Sequence, residues 1–309
     1  MKEIVSRETM NVEKVTGYYM KCRIIIDMVK KSKYTMGIIL LRYLYICNRK
    51  SEESHMAYII SVVNQKGGVG KTTTTINLAA YLAQRGKKVL LVDLDPQGNA
   101  TSGYGYDKSS LQTTVYDLLV NEADINDVIQ TTKRKNIDMC PTNIDLAGAE
   151  VELVSAISRE TILKRALEQV ESKYHYVLID CPPSLGLLTL NALAASSGVL
   201  VPIQGEYYAL EGLTQLVDTI NLVKKHLNPK IGIFGVVITM FDGRTQLTRQ
   251  VTQEVQNYFG DKVFKTFIPR NIRLAEAPSH GKTIAEYDSK SKGGKAYNAL
   301  ALEVIKRTT

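Results

Sequence analysis

The chain has 309 residues, 44% of them hydrophobic, and a formal net charge of +8 at pH 7. This length and apolar content suffice for a full core of one or two domains and exclude a disordered or low-complexity chain. The charge does not by itself indicate nucleic-acid binding, because residues 1–55 contribute +5, residues 56–223 carry −5 and residues 224–309 contribute +8. The last third is therefore the candidate basic face.

Cysteine usage and apolar runs limit the compartment of the protein. Four cysteines occur singly, without C-x-x-C spacing, at Cys22, Cys47, Cys140 and Cys181. In a chain without a signal peptide this usage favours a reducing compartment and argues against a metal cluster. The apolar run from Met36 to Cys47 is interrupted by Arg42 and is too short to span a bilayer, so we expect no transmembrane helix.

Residues 1–55 are rich in Lys, Tyr and Ile and show poor periodicity. The first strand pattern starts directly after Met56, as at a natural N-terminus, so we divide the chain into an extension, 1–55, and one domain, 56–309. The run S-E-E at residues 51–53 can be encoded by a ribosome-binding-like sequence, which raises the hypothesis that the extension is untranslated DNA read in frame. The alternative is a basic arm that lies on membrane or nucleic acid. The intact mass of the native protein distinguishes the two.

From Tyr58 onward, strand and helix patterns alternate. An apolar strand is followed by a glycine turn, a helix over about residues 71–85 and a second buried strand, Lys88 to Asp93, which is a βαβ unit. Further apolar runs, typical of strands buried on both faces, are Y-V-L-I, V-L-V-P-I and I-F-G-V-V-I. Helical patterns lie at about 144–156, 160–172, 186–196, 210–226, 245–259 and 293–307. These elements predict an α/β fold, a doubly wound and mostly parallel sheet flanked by helices.

The stretch from Ser61 to Thr75 reads S-V-V-N-Q-K-G-G-V-G-K-T-T-T-T and joins the first strand to the first helix. Its glycines let the backbone turn N–H groups toward one point, Lys71 adds a fixed cation, and the hydroxyl of Thr72 is placed to hold magnesium. This is the pattern of a phosphate-binding loop, with Gly67, Gly68 and Gly70 at its centre.

Two departures from the general loop pattern are informative. Gln65 stands where that pattern has its first glycine, so only the second half of the motif matches. Lys66 places a second ammonium beside the glycines, which suggests additional negative charge near the loop. The alternative is that Lys66 is a solvated loop lysine.

Two predicted strands end in carboxylates, at the edge where open α/β sheets bind ligands. The second strand ends in D-L-D-P-Q-G-N, so one of Asp93 and Asp95 can face the loop while the other reaches an attacking water; an Asx turn is the alternative. The strand from Tyr174 ends in Asp180, at the Walker-B position, where a buried carboxylate requires a cation such as nucleotide-bound magnesium. Cys181 is expected to be a small buried neighbour, because no histidine lies near it in sequence to activate the thiol.

Four motifs in this order, K-G-G-V-G-K-T-T, D-L-D-P-Q-G-N, L-I-D-C-P-P-S and I-P-R-N-I-R-L-A-E-A-P-S-H-G-K, resemble those of the ParA/Soj-type partitioning ATPases, of the deviant Walker A P-loop class. The resemblance covers residues 57–309. It implies an ATP hydrolase with ATP and Mg2+ as cofactors. Residues 1–55 depart from the compact members of this family, and they are shorter than the extra DNA-binding region of its longer plasmid members.

The resemblance also implies roles for single residues. Lys66 matches the signature lysine that reaches the nucleotide of a second subunit, Lys71 the phosphate-binding lysine and Thr72 the magnesium ligand. Asp95 matches the carboxylate that orients the attacking water, with Asp93 in support, and Asp180 the outer-shell magnesium aspartate. Thr239-Met240 matches a base-contact region but lacks its Asn-Lys type signature, which leaves the base less defined. The expected nucleotide contacts are Lys66, Gly67, Gly68, Val69, Gly70, Lys71, Thr72, Thr73, Asp93 and the adenine-flanking Pro269 and Asn271.

The implied partners are DNA, a second copy of the chain and a ParB-type centromere-binding protein. Arg244 and Arg273 match surface arginines that contact DNA in relatives, and both lie in the basic last third with Arg249, Lys262, Lys265, Arg270 and Lys282. In the implied cycle an ATP-dependent homodimer binds DNA without sequence preference, and the ParB-type partner stimulates hydrolysis. The implied location is cytoplasmic and nucleoid-associated, without stable membrane association.

Three other functions share part of this pattern. A MinD-like membrane-associated positioning ATPase is expected to carry an added amphipathic basic helix, whereas Leu300, Val304 and Ile305 in the final segment suit packing on the sheet. A reductase of the nitrogenase iron-protein type requires paired cysteines at a dimer axis. A nucleotide-gated transcription regulator would not require hydrolysis.

Overall fold

The computed structural model describes residues 56–205 and 211–309, with the backbone alone at 211 and 212. The predicted extension, 1–55, lies outside the described residues, and its boundary stays a prediction. Within the described residues seven strands form one sheet in the order β3-β4-β2-β5-β1-β6-β7. The strands are β1 (Tyr58–Val62), β2 (Val89–Asp93), β3 (Gln130–Thr131), β4 (Ile137–Cys140), β5 (Tyr176–Asp180), β6 (Gly198–Gln204) and β7 (Ile233–Thr239).

The sheet is parallel apart from the short edge strand β3, which pairs antiparallel with β4. Every residue of β2 and β5 is buried. Strands of this kind read as continuous apolar runs because helices cover both faces of the sheet. The chain passes from β1 to β2 on one side and later crosses to β6 on the other, so β1 lies at the point where the strand order reverses.

Helices pack on both faces of the sheet. They are α1 (Lys71–Gln84), α2 (Asn99–Gly103), α3 (Val115–Val120), α4 (Ile125–Val128), α5 (Leu146–Glu152), α6 (Ile162–Glu168), α7 (Leu187–Ala195), α8 (Glu211–His226), α9 (Gln246–Phe259), α10 (Ile272–Glu276), α11 (Ile284–Tyr287) and α12 (Lys292–Thr308). One apolar core joins α1 and α12 to the sheet through residues such as Leu78 and Leu300. The other core lies on the opposite face of the sheet. It packs helix α3 and the five helices α5 through α9 against that face, through residues such as Leu118 and Leu188.

The fold confirms the predicted doubly wound, mostly parallel sheet. Helices α1, α7, α8, α9 and α12 lie within a residue of their predicted bounds. Helices α5 and α6 are shorter than the predicted helices at 144–156 and 160–172. In each case a 3-10 turn occupies the C-terminal part of the predicted range, at Leu153–Ser155 and at Glu171–Lys173. Leu300 and Val304 of α12 are buried, and Ile305 packs against the same core, as expected for a helix on the sheet.

The segment between β2 and α5 contains, besides a 3-10 turn at Lys108–Ser110, five elements that the sequence pattern does not reveal. These elements, α2, α3, α4, β3 and β4, have two to six residues each, which is too short for an apolar period to appear. Local capping defines α3 instead, since Thr114 and Asp117 form a capping box. No helix among residues 56–205 and 211–309 is long and apolar enough to cross a membrane.

The pairing of β1 with β6 ends at Val62, the last residue of β1, which lies opposite Leu200, whereas β6 continues to Gln204. The amide of Val63 donates to the carbonyl of Leu200 at 3.1 Å, and this bond closes the ladder. Two residues further along β6, Pro202 has no backbone N–H to offer, and its carbonyl accepts the side-chain amide of Asn64 at 2.7 Å. β1 therefore separates from the sheet here and continues into the glycine loop.

Candidate nucleotide-binding site

The loop from β1 to α1 has a backbone that requires glycine at two positions. Gly68 and Gly70 have φ values of 74° and 88°, a left-handed conformation that other residues rarely adopt. Gly70 also precedes α1 without any side-chain cap, so the first N–H groups of that helix stay available at the loop. The Asn64 side chain fixes the other end, because its Oδ1 accepts the Lys66 amide at 2.9 Å. The result is a concave backbone at a helix N-terminus, which suits an anion.

Lys71 supplies a cation inside this loop. It is only 7% exposed, and its Nζ donates to the carbonyl oxygen of Lys66 at 3.1 Å. Burial lowers the pKa of Lys71, while the carboxylates of Asp180 and Asp95 act in the opposite direction. An ammonium held over a glycine loop is the group that contacts phosphates in P-loop proteins.

Thr72 and Asp180 form a pair of oxygen ligands beside Lys71. The Thr72 hydroxyl donates to Asp180 Oδ2 at 2.7 Å, and the Thr75 hydroxyl donates to Oδ1 at 3.1 Å. Burial raises the pKa of Asp180 well above its usual range, and the nearby Asp93 carboxylate adds to the shift. Such a carboxyl is stabilised in its charged form by a cation, and its hard oxygens, with the Thr72 hydroxyl, fit Mg2+.

A protein cage for a metal is not found beside this pair. Residues 56–205 and 211–309 contain no group of three or more His, Cys, Asp or Glu side chains placed to hold an ion. Magnesium commonly takes one or two protein oxygens and completes its shell with phosphates and water. The donor set therefore fits a magnesium ion that arrives with a nucleotide.

Asp93 is held by the protein on all sides. It is fully buried and lies opposite Asp180 in the parallel register of β2 and β5. Its Oδ2 accepts the amide and the hydroxyl of Thr101, each at 2.7 Å, and its Oδ1 accepts the amide of Asp95 at 3.3 Å. Burial raises the pKa of Asp93 to about 6, although these hydrogen bonds oppose the shift. Asp93 thus anchors α2 and the backbone of Asp95.

Asp95 lies in a tight turn directly after β2. Its Oδ1 accepts the amide of Gln97 at 3.0 Å, which is the Asx turn that the sequence left open, and the side chain is 7% exposed. Gly98 has a φ of 59°, and a Cβ there would lie 2.6 Å from Lys108 Cδ. Lys108 Nζ in turn donates to the carbonyl of Gln97 at 2.7 Å. This turn is thus held from outside by a lysine that the sequence did not single out.

A pocket of about 410 Å³ opens next to the glycine loop, in the size range of ligand sites. Pro269 and Asn271 both line it, which places the two adenine-flanking candidates beside the loop. Met240, also in the lining, has a φ of 49°, an uncommon conformation for a residue with a side chain. The full lining is Gly70, Thr73, Thr239, Met240, Ile268, Pro269, Arg270, Asn271, Ile272, Leu274, Ala275 and Tyr297.

The two candidate DNA-binding arginines are exposed but engaged. The Arg244 guanidinium donates to both carboxylate oxygens of Asp242, at 2.9 and 2.7 Å, and these bonds hold the pKa of Asp242 at about 2. Arg273 donates to Glu276 at 2.9 Å. Neither arginine lines the pocket, although the Arg273 amide donates to Asn271 Oδ1 at 2.9 Å.

The remaining predicted positions lie in the glycine loop or beside it. Gly67 and Gly68 are exposed on its rim, while Val69 is buried and its carbonyl accepts the Thr239 hydroxyl at 2.8 Å. Cys181 is buried, as expected, and burial raises the pKa of its thiol well above its usual range. Thr101 is the functional residue that the sequence reasoning missed most clearly, because its bond to Asp93 depends on the short helix α2.

A glycine loop, a lysine and a threonine–aspartate pair at the switch point of a parallel sheet define a P-loop nucleotide-binding protein, and Lys66 within the loop places it in the deviant Walker A class.

Comparison with known proteins gives the family. The AAA_31 family, described as an AAA domain, matches residues 57–233. The chain is 61% identical over 249 residues to the sporulation initiation inhibitor protein Soj of Bacillus subtilis, spanning 81% of this chain and 98% of Soj. It is 53% identical over 251 residues to the chromosome partitioning protein ParA of Myxococcus xanthus, spanning 81% and 89% of the two chains. The chain belongs to the ParA/Soj family of partitioning ATPases.

The fold is also similar to solved structures. The crystal structure of cobyrinic acid a,c-diamide synthase from Mycobacterium smegmatis with bound ADP and magnesium has a TM-score of 0.73 and 38% identity, and the match covers 82% of this chain and 96% of that one.

Proposed function

We propose that this chain hydrolyses ATP to partition DNA. In the proposed cycle, ATP and Mg2+ bind at the glycine loop, two ATP-bound copies form a dimer that binds DNA without sequence preference, and a ParB-type partner stimulates hydrolysis, which returns the protein to monomers. The protein would then be found on the nucleoid when ATP-bound. Membership of the ParA/Soj family supports this cycle, and so does the arrangement of two lysines in one loop.

The observation that carries the proposal is the difference between Lys66 and Lys71. Lys71 lies inside the loop, where its ammonium already contacts the Lys66 carbonyl at 3.1 Å. Lys66 contributes its backbone to the loop, so its side chain starts at the rim, next to the exposed Gly67 and Gly68. A cation at that rim is suited to neutralise phosphate charge on a facing subunit, whereas one subunit alone already has Lys71 for its own phosphates.

The chemistry of the proposed reaction is mainly positioning. Lys71 and the first N–H groups of α1 would bind the phosphates, and the Thr72–Asp180 pair would hold magnesium, which neutralises developing charge on the phosphoryl group. The Asp95 carboxylate would orient the attacking water. Its Oδ1 is bonded to the Gln97 amide, which leaves Oδ2 to accept a hydrogen bond from that water.

The proposed DNA contact depends on charge in the last third of the chain. Binding without sequence preference arises from neutralised phosphates, with log K falling by about 0.9 per contact for each tenfold rise in salt. Arg244 and Arg273 are each held by a neighbouring carboxylate, so one copy offers little free charge from them. Holding two copies together doubles the contacts, which would make DNA binding depend on the nucleotide.

The test uses Lys66→Ala with a non-hydrolysable ATP analogue. Nucleotide binding should persist through Lys71, whereas ATP-dependent dimerisation, measured by light scattering, and DNA retention should be lost. The control is Lys88→Ala, which should dimerise normally. Lys88 is an exposed lysine directly before β2, at the amino ends of the strands, whereas the glycine loop lies at their carboxyl ends. A Lys66→Ala dimer of normal stability would contradict the proposed role of Lys66.

A further inference from the structure

Helix α5 and the turn after it expose a strip of aliphatic side chains. Val151 and Val154 are three residues apart in the helical segment and share one face of it, Ile144 and Ile157 lie in the turns at its two ends, and Leu146 and Leu153 on the other face are buried. Contiguous exposed apolar patches, unlike single exposed side chains, mark interaction sites. The strip consists of Ile144, Val151, Val154 and Ile157, which are 65%, 76%, 58% and 90% exposed.

The strip lies in an acidic part of a basic chain. Residues 136–158 contain four carboxylates and no Lys or Arg, and the same holds for residues 109–132; Lys133, Arg134 and Lys135 lie between the two segments, with Arg134 paired to Glu286. The two segments meet at the strip, because the Tyr116 hydroxyl at the start of α3 donates to Glu152 at 2.9 Å. Arg159 borders the strip, and its guanidinium is engaged by Glu160 at 3.0 Å and by the Val154 carbonyl. A surface that is both apolar and negative repels DNA and suits a cationic, apolar partner.

The carboxylate of Glu150, next to Val151 of the strip, has one oxygen that accepts no hydrogen bond from the described residues. Glu150 Oε1 is buried and has no hydrogen-bond partner among residues 56–205 and 211–309. It lies against the loop that follows Asp180, since a Cβ on Gly186 would be 2.0 Å from it. A buried acceptor without a donor is costly, and positive charge brought to the surface beside Glu150 would reduce that cost.

The strip is also continuous with the nucleotide site. Ile144 follows two residues after Thr142, whose amide donates to the hydroxyl of Thr101 at 3.0 Å. That hydroxyl in turn holds Asp93. Thr142 on one side and Glu150 on the other connect the segment that carries the strip to both loops that carry the carboxylates of the site.

We propose that this surface, formed by α5, the turn to Ile157 and the start of α3, docks a short Lys/Arg-rich segment of a partner protein with aliphatic side chains among its cations. The inference rests on the proposed function, because it assigns a surface to the ParB-type partner. The cations pair with the exposed carboxylates of Asp145 and Glu152, next to Glu150, and the aliphatic side chains pack on the strip. A second copy of the chain fits less well, since a two-fold contact sets acidic surface against acidic surface. A segment bound here lies against the loop after Asp180 and can shift that carboxylate.

The experiment compares Val151→Lys and Ile157→Lys with Leu222→Lys and Leu302→Lys. The control positions lie on α8 and α12 and are 61% and 49% exposed, so the same substitution is made at comparable sites elsewhere. The probe is a purified ParB-type protein from the same organism, labelled for fluorescence anisotropy and mixed with the full-length chain and an ATP analogue. We expect the two strip variants to lose roughly tenfold or more in affinity and the controls to lose less than about twofold. Nucleotide binding, dimerisation and DNA retention should be unchanged in all four.

Several results would overturn the inference. Equal affinities for strip and control variants, with the wild type binding normally, would refute the docking surface and leave the proposed function standing. Loss of ATP-dependent dimerisation in the strip variants would assign the surface to a second copy. A photo-cross-linking amino acid in place of Ile157 should attach to the partner, so attachment within residues 1–55 would give the surface to the chain's own extension. A wild type that does not bind the ParB-type protein would refute the partnership itself and this inference with it.

Discussion

Thr101→Val is expected to destabilise the protein strongly, because one buried hydroxyl makes two hydrogen bonds. Thr101 Oγ1 donates to Asp93 Oδ2 at 2.7 Å and accepts the Thr142 amide at 3.0 Å, and the residue is fully buried. Valine has nearly the same shape, so no cavity arises. Losing a hydrogen bond to a charged group costs about 1.5–3 kcal/mol, and leaving a buried amide unpaired costs about 1–3 kcal/mol more. The free energy of unfolding should therefore fall by about 3–5 kcal/mol at pH 8.

The size of this loss should depend on pH. Burial raises the pKa of Asp93 from 3.8 to about 6, so the protonated form stabilises the fold at low pH, and this stability is lost as the pH rises toward 6. Removing the Thr101 hydroxyl removes a donor that favours the carboxylate, so the pKa of Asp93 rises further and the loss continues above pH 6. At pH 5 Asp93 is mostly protonated in both proteins. The penalty there should be smaller by about 1–2 kcal/mol.

Urea denaturation followed by circular dichroism at several pH values measures both quantities. Thr101→Ser keeps the hydroxyl and should cost about 1 kcal/mol, the effect of one buried methyl group. Thr131→Val, at an exposed position of β3, should cost little at any pH. A penalty for Thr101→Val that is independent of pH, or one equalled by Thr101→Ser, would refute the reasoning.

Two further substitutions test other contacts. Gly281→Ala should cost at least about 2 kcal/mol in thermal unfolding, because its φ is 59° and the new Cβ would lie 2.9 Å from the backbone of Gly105; Gly232→Ala, with no atom within 4 Å, is the control, and equal costs would contradict the account. Asp242→Asn should raise DNA affinity and steepen the salt dependence by about one phosphate contact, since it weakens the two bonds that hold Arg244; an unchanged salt slope would show that Arg244 does not contact DNA.

The parts of the site that could be predicted are those next to strand ends. Lys71 and Thr72 follow the glycine loop directly, and Asp180 ends β5, so the rule that ligands bind at the carboxyl edge of a parallel sheet brings the three together. Local residue order also predicted the large helices, whose apolar periods are long enough to recognise. In these elements the local pattern and the packing agree.

The contacts that could not be predicted join distant or very short elements. Tyr297 OH lies 3.1 Å from Thr74 Oγ1, a pair separated by 223 residues, and it closes the pocket from α12. Pro269 and Asn271 were expected there only through the family resemblance, since neither residue type by itself indicates a base. The carboxylate partners of the two arginines were missed as well, although Asp242 lies only two residues before Arg244. Charge counted along a sequence does not reveal which cations are already paired.

The proline in β6 has a consequence for where the ligand crevice opens. The amide of Val199 points toward β7 and the carbonyl of Leu200 toward β1, so by alternation the missing amide of Pro202 lies on the β1 side. At that point β6 offers β1 no backbone N–H donor, and β1 leaves the sheet. The side-chain amide of Asn64 takes the place of the next ladder bond, so β1 and β6 separate at the centre of the sheet, beside the glycine loop. Pro202, which lies outside the phosphate-binding motif, is thus next to the point where the chain leaves β1 and enters that motif.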